Sequence, residues 1–194
     1  MKSKFERINR LPPYIFGEIN SLKMKLRSEG RDIIDFGMGN PDMPTPLHIR
    51  QKLKEVIDKP GVGRYSVSKG INGLRKAQAK YYKKRFNVDL NPSSEIIVTI
   101  GSKEGLANLA QAITSRGDRI LCPDPSYPVH PYGFMIAGAK LTPLQTFFNG
   151  QFDKNKFLLN IVNNLKKYSS IKVIIVSFPS NPTAQIVDLD FYKE

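Results

Sequence analysis

Three short segments carry residue types suited to holding an anion and a flat ring. The first runs from Ile96 to Gly105, where a β-branched stretch leads into Gly101-Ser102-Lys103 and then into a helical pattern. Glycine lets the backbone approach a bound group closely. The opening amides of a helix present unbonded N–H groups, and the Ser102 hydroxyl adds a donor, so the turn can cradle a phosphate. An ordinary strand-to-helix turn uses the same residue types. The second segment is Pro123-Asp124-Pro125-Ser126-Tyr127-Pro128. Three prolines in six residues stiffen it and could hold Tyr127 where its face stacks on a planar ligand; a tyrosine simply packed beneath a proline-rich turn fits equally well. The third is Phe178-Pro179-Ser180-Asn181-Pro182-Thr183, in which the Asn181 amide can hydrogen-bond a ligand but Asn-Pro-Thr also marks a plain turn.

The elements between these segments set where they must lie. Spacing and capping predict helices over about 14–26, from Thr45-Pro46 to Ile57, and over 74–86. The Thr45 hydroxyl is expected to cap the second of these, with Pro46 at its first position. The chain then alternates: strand 95–100, helix 104–114, strand 119–122, helix 130–137, strand 140–145, helix 157–167 and strand 171–177. Such alternation predicts a mainly parallel sheet covered on both faces, a three-layer α/β core with residues 1–40 as an arm outside it. In that architecture ligands bind at the carboxyl ends of strands, which is where all three segments fall. The loop 61–70, with Arg64 and Tyr65, reads as flexible by its glycines. Asp188 to Glu194 reads as a helix start with acids in its first turn and no stop signal, so a longer parent chain is expected.

Composition narrows the classes. The 194 residues are 40% hydrophobic and 24% charged, which excludes disorder throughout, and no apolar run reaches the roughly 18 residues of a membrane span. The N-terminus is charged but has no apolar signal core after it, and a single cysteine, Cys122, leaves no internal disulfide; a cytoplasmic location is expected. The net charge is +13, and 20 of the 30 basic but 10 of the 17 acidic residues lie in 1–97. The lysines are scattered, and the densest group, Lys80, Lys83, Lys84 and Arg85, falls on one helix, so a solvated face is favoured over a nucleic-acid surface. A dinucleotide fingerprint at Gly37 to Gly39 fails, because Asp42 stands where a third glycine is needed.

In order and spacing, these segments resemble the class I/II aminotransferases of pyridoxal-phosphate (PLP) fold type I, over essentially the whole chain. The resemblance rests on Arg10 to Tyr14, Asp35 to Asp42, Tyr65-Ser66 with Gly70 and Leu74-Arg75, Ile100 to Leu106, Pro123 to Pro128, and Phe178 to Ala184. It is nearest to the bacterial alanine (glutamate–pyruvate) aminotransferases and the LL-diaminopimelate aminotransferases. The resemblance implies that residues 1–44 form an arm and part of the small domain, and residues 45–194 the first part of the PLP-binding large domain. It implies that Gly101, Ser102 and Lys103 hold the PLP phosphate, Tyr127 stacks on the pyridine ring and Asn181 bonds its phenolic oxygen. Tyr65 would reach the cofactor phosphate of a partner subunit in a homodimer, and Gly39 and Tyr14 would contact the substrate. It further implies cis bonds at Asp124-Pro125 and Asn181-Pro182. Ala184 departs from the commoner Asn-Pro-Thr-Gly and suits the alanine-aminotransferase subgroup.

The resemblance places the Schiff-base lysine, the aspartate on the pyridine nitrogen and the carboxylate-clamping arginine beyond Glu194, and Lys103 sits wrongly for the lysine's role. The function expected of the parent is PLP-dependent transfer of an amino group between an amino acid, alanine first, and a 2-oxo acid; these 194 residues alone are expected to be inactive. Alternatives are an LL-diaminopimelate or aspartate-type aminotransferase, a PLP-dependent carbon–sulfur lyase on the same fold, and a non-catalytic binding or regulatory protein, which the charge alone supports.

Overall fold

The computed structural model describes residues 5–37, 39 and 41–194; residues 1–4 of the charged N-terminus, and Met38 and Asn40 of the turn-rich 37–42 piece, lie outside the described residues. In chain order the elements are α1 (Glu6–Asn9), α2 (Ile15–Ser28), α3 (Leu47–Ile57), α4 (Asn72–Phe86), α5 (Ser102–Ile113), β1 (Arg119–Asp124), α6 (Val129–Ala137), β2 (Lys140–Gln145), β3 (Phe147–Phe148), β4 (Gln151–Phe152), α7 (Lys154–Lys167) and β5 (Ile171–Ile174), followed by a 3-10 turn over Asp190–Tyr192. The chain divides into two compact units, one of residues 1–12 with 99–194 and one of residues 13–98. No helix among the described residues is long and apolar enough to cross a membrane.

The first unit is built on a parallel sheet of order β2-β1-β5. β1 pairs with β2 from Arg119↔Lys140 to Asp124↔Gln145, and with β5 through Ile120↔Val173 and Leu121↔Ile174 after a register shift at Arg119. Side chains alternate across a strand, and β1 uses both sides. Ile120 and Cys122 point into a core with Ala110 of α5, Phe134 of α6 and Ala139. Leu121 points into a second core with Leu144 of β2, Phe157 of α7 and Phe191. The result is the expected α/β/α sandwich, with α5 and α6 on one face and α7 on the other.

Several boundaries differ from the sequence expectation for local reasons. α7 begins three residues earlier than expected because the Asp153 carboxylate accepts from the Asn155 and Lys156 amides (3.1 and 3.0 Å) and caps it. Thr45 makes no cap: α3 starts at Leu47 with Pro46 at its cap position. The strand expected at 95–100 does not form: residues 96–99 have no regular secondary structure, and Val98 donates to the Lys69 carbonyl at 3.1 Å. The ladder of β5 stops at Ile174, although Ile175 still donates to the Leu121 carbonyl at 2.9 Å. The acids at the chain's end open a 3-10 turn instead of an α-helix: Asp188 accepts from the Phe191 amide (2.9 Å), seating Phe191 in the second core. The antiparallel pair β3–β4 was not anticipated, yet its turn, Asn149-Gly150 with φ of 51° and 79°, is a strong hairpin signal that the sequence carries in plain view.

The second unit holds α2, α3 and α4, and none of its described side chains is fully buried. Ile34, Phe36 and Leu53 are well exposed. Its tightest packing lies beneath the Tyr65 loop. Arg75 of α4 donates to the Gly70 carbonyl (3.1 Å) and to the Pro92 carbonyl. Gly70 has φ +84°, and a Cβ there would overlap the Val98 side chain. The loop that reads as flexible by composition is thus pinned at its base.

The two-sided core predicts an asymmetry along α7. Phe157 is 0% exposed and Leu159 58% exposed. Phe157→Ala should cost about 3–5 kcal/mol, whereas Leu159→Ala should stay within about 0.5 kcal/mol, both read as urea-unfolding midpoints of the 194-residue chain. Equal losses at the two positions would contradict the described packing.

Candidate functional site

The turn into α5 is shaped by Gly101. Its φ of 84° with ψ of 161° is a conformation that glycine alone adopts freely, and it opens α5 at Ser102. The Thr99 hydroxyl donates to the Gly101 carbonyl at 3.0 Å, and the Ile100 amide donates back to the Glu104 carboxylate. Those bonds fix the turn and point the one acid of the first turn backwards. The opening amides of a helix lie outside its own hydrogen-bond ladder, and the helix dipole adds partial positive charge there. Ser102 and Lys103 are exposed at this end.

Tyr127 stands on the loop that leaves β1. Asp124-Pro125 is cis. The loop is tied by the Thr146 hydroxyl donating to the Asp124 carbonyl (2.9 Å) and by a Cys122 Sγ to Ser126 Oγ contact of 3.2 Å. The Lys103 ammonium lies 5.6 Å from the centroid of the Tyr127 ring. The α5 turn and the Tyr127 ring therefore meet, although they come from different elements. His130 also touches the ring, with centroids 6.0 Å apart at 77°.

Asn181 sits on the loop that leaves β5. β1 and β5 run parallel as neighbours, so their exit loops lie side by side. Pro123 and Pro125 of one loop and Phe178, Ser180 and Thr183 of the other line a single cavity of about 10 Å³. Ser180 organises the second loop: its hydroxyl is 2.5 Å from that of Thr183 and accepts from the Gln185 amide at 3.0 Å. Asn181 is exposed on it. Phe178-Pro179 and Asn181-Pro182 are both cis; the second matches expectation and the first was not foreseen. Ala184 has φ +55°, in the region that favours glycine, which gives a physical reason why glycine is the commoner residue there.

Gly101, Ser102, Lys103, Tyr127 and the Asn181 loop all belong to one unit. Tyr14, Gly39 and Tyr65 belong to the unit of residues 13–98, where each is exposed, Tyr65 completely. Sequence reasoning missed His130. Its signal was the i, i+3 spacing from Tyr127 across the start of α6. Among the described residues no group of His, Cys, Asp and Glu could hold a metal ion. Cys122 is buried, and burial pushes its thiol up to about 11 against a lowering hydrogen bond from Ser126.

Comparison with known proteins identifies the family. Residues 31–194 match the model of a family described as aminotransferase class I and II. The chain is 48% identical over 193 residues to AatC of Rhizobium meliloti strain 1021, covering 98% of this chain and 46% of the relative. It is 46% identical over 196 residues to the glutamate–pyruvate aminotransferase AlaC of Escherichia coli K12, covering 98% and 45%. It is 40% identical over 190 residues to the LL-diaminopimelate aminotransferase of Aquifex aeolicus strain VF5, covering 97% and 48%. A solved aspartate aminotransferase of Thermus thermophilus superposes with TM-score 0.85 at 25% identity, covering 98% of this chain and 48% of that one. The chain thus spans about half the length of the relatives it matches.

Two outcomes follow from the loops. With a thiol near 11, only about a thousandth of Cys122 is thiolate at pH 8. A thiol-specific chromogenic reagent should therefore react at least about 100-fold more slowly with the native chain than with the urea-unfolded one; equal rates would show the thiol to be accessible and ordinary. Ala184→Gly should raise stability by about 0.5–1 kcal/mol in urea unfolding, and a loss would contradict the left-handed backbone at this position.

Proposed function

The chain belongs to the aminotransferase class I and II family, and from that premise we propose that it is the cofactor-binding first part of a PLP-dependent aminotransferase. The observation that carries the reading is the approach of the Lys103 ammonium to the Tyr127 ring at 5.6 Å, at the N-terminus of α5. The donor set fits PLP. Gly101, Ser102, Lys103 and the α5 amides are all donors and suit a phosphate dianion. Tyr127 offers a ring face to a pyridine, and the exposed Asn181 amide suits a phenolic oxygen. When bound, PLP supplies an electron sink for the substrate's α-carbon.

The residues of this chain then bind and orient. The α5 turn fixes the phosphate end, Tyr127 sets the plane of the ring, and Asn181 sets its in-plane rotation. Gly39 and Tyr14 would face the substrate. Tyr65, fully exposed on a loop pinned by Arg75, suits a role across a homodimer. Residues 45–194 would be the first part of the large domain, and residues 1–44 an arm with part of the small domain. The lysine that anchors the cofactor and moves the α-proton would lie beyond Glu194. The parent would be cytoplasmic and would exchange an amino group between alanine and a 2-oxo acid. The similarity to AlaC and the alanine at position 184 support that substrate. The similarity to an LL-diaminopimelate aminotransferase supports a second reading, with that longer diamino acid as donor.

Pyridoxamine 5′-phosphate tests the site without condensing with surface lysines. It should bind the 194-residue chain saturably, with inorganic phosphate competing. Lys103→Ala should weaken it about tenfold, and pyridoxamine lacking the phosphate should bind far more weakly. Absence of saturable binding, or equal affinity without the phosphate, would remove the cofactor reading. With PLP added, the same chain should form no pyruvate from alanine; turnover abolished by replacing one of its own lysines would show that the catalytic lysine lies within these residues.

A further inference from the structure

Resting on the cofactor reading above, we propose that Ser180 is a positioning residue: its hydroxyl latches the 180–185 loop and so sets the direction from which the Asn181 carboxamide meets the cofactor's phenolic oxygen. An amide that bonds a single ring oxygen must arrive from one direction, because a hydrogen bond weakens steeply as it bends. Asn181 is exposed near the start of that loop. Pro182 fixes its own φ and narrows the backbone choices of the residue before it. What those restrictions leave open is the angle at which the chain enters Asn181, and that angle is set one residue earlier.

Ser180 is bonded at its amide, its carbonyl and its hydroxyl. The amide donates to the Gln185 carbonyl at 2.9 Å, and the carbonyl accepts from the Ala184 amide at 2.8 Å. Any residue at this position could make those two bonds. The hydroxyl is what serine adds: it accepts from the Gln185 amide at 3.0 Å and lies 2.5 Å from the Thr183 hydroxyl. Gln185 Nε2 donates in turn to the Thr183 carbonyl at 3.3 Å. The far side of the loop is thereby tied to the residue directly before Asn181. Every partner lies within five residues of Ser180, so the latch is complete within its own segment. Ser180 acts through Asn181 and not on the ligand. It is half-buried, and with Pro123, Pro125 and Phe178 it lines the cavity of about 10 Å³ between the two exit loops. That space holds about one water and admits no ring. Without the hydroxyl, the entry into Asn181 spreads over more orientations, and binding must then bear the cost of ordering it.

The experiment compares the 194-residue chain with its Ser180→Ala, Asn181→Ala and doubly substituted variants. Three probes are titrated: pyridoxamine 5′-phosphate, its 3-deoxy analogue in which hydrogen replaces the phenolic hydroxyl, and inorganic phosphate. Ser180→Ala should bind pyridoxamine 5′-phosphate about threefold to tenfold more weakly. Its affinities for the 3-deoxy analogue and for phosphate should stay within about twofold, which also reports a folded chain. In the Asn181→Ala background, Ser180→Ala should cost no more than about twofold, because the two residues act on one contact. Should the alanine variant unfold, Ser180→Cys carries the same test, since it keeps the size and offers only a weak acceptor. Unchanged affinity for pyridoxamine 5′-phosphate in Ser180→Ala would overturn the inference. An equal loss for the 3-deoxy analogue or for phosphate would also overturn it, by showing a general structural role, as would a full loss that persists without the Asn181 amide. If the unchanged chain binds no pyridoxamine 5′-phosphate saturably, the cofactor reading falls and takes the inference with it; none of the variant results can produce that outcome.

Discussion

Double-sided burial of β1 is the constraint on which the rest of the first unit depends. Ile120, Leu121 and Cys122 are each at most 1% exposed, in succession along one strand. A strand can bury consecutive side chains only if both faces of its sheet are covered, since neighbours point opposite ways. One face is closed by α5 and α6, the other by α7 and the Phe191 turn. Those helices cannot be removed singly without exposing one side of the central strand. The rigidity that follows belongs also to the loop leaving that strand, whose first residues lie in its ladder with β2 up to Asp124.

Parallel pairing turns that rigidity into a site. When two parallel neighbours end together, their exit loops are delivered to the same edge of the sheet, here Tyr127 after β1 and Asn181 after β5. A helix returning along the sheet brings its N-terminus to that same edge. α5 does so, and its first turn reaches Tyr127 through Lys103. The electrostatic sense is consistent throughout: amides, hydroxyls and an ammonium converge, and the acid of the α5 turn, Glu104, is drawn back onto the Ile100 amide. An anion is the complement of such an edge.

The two units differ in how much of their apolar surface they cover. The first closes two cores; in the second no described side chain is fully buried, and Ile34 and Phe36 stand 77% and 94% exposed. Exposed apolar area on this scale is uncommon on a free monomer, and the chain spans about half the length of the relatives it matches. Order in the second unit is local. It resides in the Lys23–Asp35 ion pair of 2.8 Å, which holds the Asp35 carboxyl below its usual range, and in the Arg75 clamp beneath the Tyr65 loop.

The amino-acid sequence by itself determined the helix–strand alternation from α5 to β5 and the parallel α/β class, and it singled out the segments proposed to hold a ring and a phosphate. Those properties rest on short-range signals: periodicity of apolar residues, glycine and proline punctuation, and motifs a few residues long. The Asn149-Gly150 hairpin was legible in the same way and was overlooked. The tertiary structure decided what depends on partners distant in sequence. Whether 96–99 becomes a paired strand requires a neighbour, and among the described residues it has none in a ladder. That Thr45 stays out of the α3 cap while Asp153 serves α7 is a matter of backbone direction at each helix entry, which composition does not encode. The meeting of Lys103 with Tyr127, and the burial that lowers the proton affinity of His130 beside that ring, arise from packing α5 and α6 on one face of β1. A sequence pattern states which face a residue prefers; only the packed layers state what it meets there.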